Sequence, residues 1–196
     1  MQEKIEALKN HVRETAANLN FIHHFWFVEW HLEIVERIAL ELLEHYQQAD
    51  KDLVMVMVWM HDYGKPINFK DQYRTTQVAG REKLRELGFQ PEFIEKALNY
   101  VELIDKKMEI DMYEAPLEVQ LVSSADGCSH LVGPFMYFWW RENPQKHYEQ
   151  LMGDTMAKAE KDWTKKITLP EARKAFEARY RFTMEQGGQL PDKFLG

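Results

Sequence analysis

Only one cysteine, Cys128, occurs in 196 residues, so no intrachain disulfide can form. Long apolar runs are also missing. The longest, Leu53 to Met60 and Leu131 to Trp140, fall well short of the roughly 17 to 25 residues that a membrane-spanning helix needs. There is no basic excess either: the formal charge is -7 and no Lys/Arg-rich cluster stands out, which argues against a nucleic-acid polymer as partner. A small phosphorylated substrate is still admitted, because one local cationic pocket would serve it. The N-terminal stretch MQEKIEALKN is charged and lacks a signal-peptide apolar core, so a cytoplasmic location is the expectation. Repeats, low-complexity segments and linkers are absent, and the length suits one domain over residues 1–196.

What is present is helical periodicity. Ile5, Leu8, Val12, Ala16 and Leu19 recur at spacings of three and four, predicting an amphipathic helix over residues 1 to 19. The same spacing runs from Phe21 to Tyr46 and predicts one long half-buried helix, on which His24 and His31 share a face and His23 points elsewhere. Asp50 and Asp52 are N-cap candidates for the apolar run that follows. Within that run Val54, Val56 and Val58 alternate as in a strand, yet no second strand-like run exists to pair with them, so a buried helix is expected. Thr75 or Thr76 would cap a helix to Leu87, Pro91 opens another to about Ile104, and Pro116 starts the helix carrying Asp126. After Pro144 a helix is expected to about Ile167. Thr168 to Glu171 has the form of a capping box before a last helix that ends at Gly187 and Gly188. The fold class is therefore all-α.

The chemistry gathers at the end of the apolar run, where Met60 is followed by His61, Asp62, Tyr63, Gly64, Lys65 and Pro66. A fully apolar segment delivers this imidazole and carboxylate into buried or half-buried surroundings. A carboxylate out of water needs a cation or several hydrogen bonds, and a divalent metal also suits a neutral imidazole. Gly64 permits a tight turn, Lys65 adds a cation, and Pro66 forbids further helix. Upstream, His31 lies in an aromatic and aliphatic segment; downstream, Asp126 follows Val119, Leu121 and Val122.

This order, with H-x-x-x-V at His31 to Val35, H-D-x-G-K at His61 to Lys65 and the later Asp126, resembles the HD superfamily of metal-dependent phosphohydrolases over roughly residues 20 to 130. The resemblance implies a helical HD-like bundle, with the C-terminal helices packed on that core. It also implies a divalent transition metal (Fe, Mn, Co, Ni or Zn) held by His31, His61, Asp62 and Asp126. The expected activity is hydrolysis of a phosphate ester of a nucleotide or other small molecule by metal-bound hydroxide, with Asp62 and Lys65 as catalytic residues. Members with two metals usually add histidines after the H-D pair, whereas none lies between Gly64 and Cys128; Thr76 and the Asn99 to Glu102 stretch stand there instead. One metal is expected, and the cyclic-dinucleotide phosphodiesterase and di-iron oxygenase branches are disfavoured.

Several further residues have both a functional and an ordinary reading. His24 would line the substrate pocket or sit in the core. His130, one turn beyond Asp126, would be an extra ligand, a support to the ligands or a helix cap. Arg74 and Arg81 would contact phosphate or be solvated helix arginines. Asp71 would be a general acid or a turn residue, and Glu102 an oxygen ligand or an exposed helix residue. The aromatic block Phe135, Tyr137, Phe138, Trp139 and Trp140 would stack a base, cover a homodimer interface or fill core. The alternative to an enzyme is a regulatory domain of HD fold that binds metal or ligand without turnover.

Overall fold

The computed structural model describes residues 1–188, 192, 193 and 195, and among these the secondary structure is helical throughout. The organising element is α3 (Lys51–Met60), in which every residue from Leu53 to Met60 is buried. Asp50 caps it, its side chain accepting the Leu53 N–H at 3.1 Å. An all-round apolar helix must be enclosed on every side, and α1 (Gln2–Ala16), α2 (Glu33–His45), α5 (Pro91–Asp105) and α6 (Leu117–Ser129) do so. Burying a large apolar side chain contributes about 1.5 to 3 kcal/mol, so the row from Leu53 to Met60 dominates the core. Trp59 also carries a polar atom into this interior. Its indole N–H donates to Glu36 (2.6 Å), whose other oxygen accepts from Lys9 (2.5 Å), tying α1, α2 and α3 together.

The remaining helices pack outside this centre. α4 (Gln72–Glu86) lies on α5, and α8 (Tyr148–Lys165) pairs with α9 (Pro170–Gln186), where Trp163 and Tyr180 stack at 4.5 Å. α7 (Phe135–Glu142) is short and contains no fully buried residue. No helix among the described residues is long and apolar enough to cross a membrane.

Four local expectations need correction. The helix expected from Phe21 begins only at Val28; residues 19–27 form successive turns, pinned because Phe21, Trp26 and Phe27 bury their rings. The apolar spacing there reflects ring anchoring rather than a helix face. α4 starts at Gln72, three residues before the expected cap, and Thr76 lies inside it with its hydroxyl accepting the Gly64 N–H at 2.9 Å. The helix expected soon after Pro144 begins at Tyr148, where His147 and Gln150 form a reciprocal capping box. At Thr168 to Glu171 no such box forms: the helix starts at Pro170 with Leu169 in the cap position, and Thr168 bonds Gln120 while Glu171 accepts from Tyr46.

The turn after α3 is held by close backbone approach. A Cβ on Gly64 would stand 2.0 Å from the carbonyl oxygen of Gln72 and 2.9 Å from the Thr76 nitrogen. Backbone atoms of a packed helix cannot yield as a side chain would. Gly64→Ala is therefore expected to lower stability by about 2 kcal/mol or more, read as a lower denaturation midpoint in urea. An unchanged midpoint would refute the close packing of this turn on α4.

Candidate metal centre

Each side chain of the H…HD…D set arrives by a different local device. His31 sits in a wide helical turn, Val28–Leu32, where the Leu32 N–H reaches back five residues to the Phe27 carbonyl (3.0 Å) before α2 continues normally. Such wide turns recur at functional sites because the extra residue re-aims one side chain. His61 follows the last residue of α3, its N–H bonded to Met57 at 2.8 Å, and Asp62 opens the turn beyond. The carbonyl end of α3, which carries partial negative charge, therefore faces the site. Asp126 projects from α6, whose residues 121–129 are all buried.

The donor atoms converge. His31 Nε2 lies 3.3 Å from Asp62 Oδ2 and 3.8 Å from Asp126 Oδ1; His61 Nε2 lies 3.6 and 3.9 Å from the same two oxygens. The hydrogen bonds behind them fix the tautomers. His61 Nδ1–H donates to the Val58 carbonyl at 2.8 Å, which leaves a buried Nε2 without any hydrogen-bond partner. Ser129 gives its hydroxyl proton to the Asp126 carbonyl (2.7 Å), so its oxygen accepts from His31 Nδ1–H (3.1 Å), leaving His31 Nε2 a lone pair as well. Burial keeps the His31 ring neutral, pulling its pKa down even though Asp62 acts to raise it. Asp62 and Asp126 stay ionised: burial opposes this, but Lys65 holds the first, and Lys166 the second, well below the carboxylate range. Two carboxylates and two unprotonated nitrogens face each other in a largely buried site, an arrangement that fits a divalent cation. Ions bound at about 2.1 Å hold neighbouring donors roughly 3 to 3.5 Å apart. His31, His61 and Asp62 form one trio with ligand atoms within 4.8 Å of one another, and Asp126 stands beside the two imidazole nitrogens.

Beneath the donors lies a buried charge network. Gly127 lets α6 approach the chain after α8 so closely that a Cβ there would meet Ile167 at 2.8 Å. This brings Lys166 Nζ onto Asp126 Oδ2 and within 3.4 Å of Asp162 Oδ1. The other Asp162 oxygen accepts from Lys158 (2.6 Å) and lies 2.9 Å from His130 Nδ1. His130 stacks on His31 (5.2 Å, 8°) with its Nε2 3.4 Å from Asp126 Oδ1, so His31, Asp126 and His130 form a second trio spaced to hold a metal. Burial and then Lys158 push His130 down to about 3. Lys158, half-buried and beside Lys166, falls to about 7, whereas Lys166 rises against its own burial because Asp126 and Asp162 flank it.

These groups form the floor of a cavity of about 280 Å³. Its walls carry Lys65, Lys107, Lys158, Lys161 and Lys166, together with Asp105 and the aromatic side chains of Trp26, Phe69, Tyr73, Phe135 and Trp139. Of the residues expected from sequence, the structure brings His31, His61, Asp62, Lys65, Asp126 and His130 together here. The others lie elsewhere. His24 is half-buried and bonds its own turn at Phe21 (2.7 Å), while His23, expected to point away, lines the cavity, because this segment is not the helix that the spacing implied. Arg81 is forked onto Glu95 (2.7 and 2.9 Å), and Arg74 borders a separate shallow pocket with Glu102, itself paired to Lys106. Asp71 is exposed at the start of α4. Lys107, Lys158, Lys161, Asp162 and Lys166 were not legible as site residues, since lysines on an amphipathic helix read as a solvated face. The aromatic block is divided, with Phe135 and Trp139 in the cavity wall and Tyr137 exposed.

An all-helical bundle whose innermost helices bring two histidines and two aspartates together forms a helical domain with side chains that could hold a metal ion. The family model described as HD domain matches residues 28–131, just over half of the chain, and the chain belongs to that family. The family places it in the superfamily of metal-dependent phosphohydrolases, most members of which are hydrolases. Comparison with curated proteins and with solved structures gives no match in either set.

Asp162 offers a test of the buried network. Its carboxylate is held far below the ordinary range by Lys166, His130 and Lys158, against the opposing effect of burial. A depressed folded-state pKa contributes stability that is present above the unfolded value, near 4, and is lost as pH falls further. Asp162→Asn should therefore cost about 3 kcal/mol at pH 7, and the difference from the unsubstituted protein should shrink at pH 3. Urea denaturation at both pH values measures this; a pH-independent difference would refute the charge assignment.

Proposed function

We propose that the protein is a metal-dependent phosphohydrolase that acts on a nucleotide or similar small phosphate ester. The observation that carries this reading is the coincidence of the unprotonated His/Asp cluster with a cavity lined by five lysines, in a protein whose overall charge is negative. His31, His61, Asp62 and Asp126 would hold one divalent transition ion, with His130 beside them. Bound there, such an ion supplies Lewis acidity, acidifying a water and drawing charge from a phosphoryl oxygen.

The chain's own groups do the rest. Asp62 and Lys65 pair at the cavity wall, so the ammonium stands beside the metal donors, where a phosphoryl oxygen gains negative charge. Asp105, half-buried in the same wall, has its carboxyl pushed up to about 7 by burial and by the neighbouring Asp62 charge. It can hold a proton near neutral pH and hand it to the departing oxygen. Lys166 and Asp162 keep Asp126 in position from below. Trp139, in the cavity wall with Trp26, offers an aromatic surface to a base or other flat group.

Elemental analysis with a screen of phosphorylated compounds tests the reading. About one metal per chain is expected, lost in His61→Ala and Asp126→Ala together with turnover. Lys65→Ala should keep the metal and lose about 10²-fold or more in kcat. Metal without turnover of any phosphate compound, combined with tight binding of an unhydrolysed ligand, would instead support a regulatory binding domain.

A further inference from the structure

The cavity holds more positive charge than one phosphoryl group requires. Lys65 pairs with Asp62, Lys166 with Asp126 and Asp162, and Lys158 with Asp162. Lys107 and Lys161 differ: both are half-buried in the cavity wall, and among the described residues neither has a carboxylate within ion-pair distance. They come from separate elements, Lys107 from the connection after α5 and Lys161 from α8, one turn beyond Lys158. Burial, and then Lys166, pulls Lys107 below its ordinary pKa, although Asp126, Asp105 and Asp62 act from a distance to raise it.

A charge count sharpens this. Setting aside Lys158 and Asp105, which both titrate at about 7, four ammoniums and one divalent ion would face three carboxylates, those of Asp62, Asp126 and Asp162, an excess of three positive charges. A phosphate monoester brings about -1.5 to -2. It would meet the metal and Lys65 and leave the other wall uncompensated. Holding two ammoniums half-dehydrated is costly in the empty pocket, and a second anionic group on the ligand turns that cost into recognition.

We propose that Lys107 and Lys161 form a second anion subsite, so that the substrate carries a further phosphate group besides the one that is hydrolysed. This rests on the phosphohydrolase reading and narrows it to diphosphates and bisphosphates. Simple monoesters would then bind more weakly.

The test compares adenosine 5′-monophosphate, adenosine 5′-diphosphate and adenosine 3′,5′-bisphosphate as probes of the metal-loaded protein. Dissociation constants are measured by calorimetry, and metal content is checked in every sample. At least one doubly phosphorylated probe should bind about tenfold or more tightly than the monophosphate, and which one does so reports whether the two groups are adjacent or apart. In the Lys107→Gln/Lys161→Gln double variant that preference should vanish, while monophosphate affinity and metal content change little. Both positions are half-exposed, so the variant should fold, as circular dichroism would verify. Equal binding of all three probes by the unsubstituted protein, or a preference surviving in the double variant, would overturn the subsite alone. Binding of none of them to protein that retains its metal would overturn the phosphate reading and the subsite with it.

Discussion

Lone pairs and carboxylates cannot be gathered in a dry interior unless something positive accompanies them, and this requirement shapes the centre of the molecule. The Val58 carbonyl and the Ser129 hydroxyl each accept a hydrogen bond from one imidazole N–H, turning the opposite nitrogens toward the two aspartates. Those bonds come from the last turn of α3 and from α6, so core packing sets the protonation pattern of the site. The apolar enclosure of α3 is thus more than a source of stability. It keeps water from the core side of the donors, raising the electrostatic cost of leaving them without a cation.

A second tier of charge answers the same constraint. Lys166 lies against Asp126 from the side away from the histidines, and Asp162 links it to Lys158 and His130. Such a network is weak evidence for stability in itself, because dehydration offsets most of the attraction. Its service here is positional, as it fixes Asp126 and His130 from a helix that lies outside the core shared with the family. The helices after residue 131 therefore complete the site rather than merely flank it.

The sequence made the centre legible but not its surroundings. His61 and Asp62 could be read because a run with no polar face must be internal, and the lack of any pairing strand decided helix over strand for Leu53 to Met60. Asp126 followed from the same reasoning together with its place after the H-D pair. The turns at residues 19–27 could not be read, because anchored rings mimic helical spacing; that error exchanged His23 for His24. Nor could Lys107, Lys158, Lys161 and Lys166 be told from solvated lysines, since only the approach of α8 to α6 turns the last three inward and only the connection after α5 places the first on the cavity wall. Arg74 and Arg81 failed for the opposite reason, being close to the motif in sequence but on outer faces of α4.

The wide turn at Val28–Leu32 has a consequence for how such a chain can change over time. It holds one residue more than an ordinary helical turn, and His31 is aimed by that surplus. Loss of a single residue there would restore regular geometry and swing everything upstream by about 100° about the helix axis, taking Phe27 and Trp26 off the cavity wall. Point substitutions along this stretch leave the register intact, whereas a one-residue deletion does not. Descendants of this chain can diversify the cavity by exchanging side chains, but the length of the segment between Trp26 and Glu33 is closed to change.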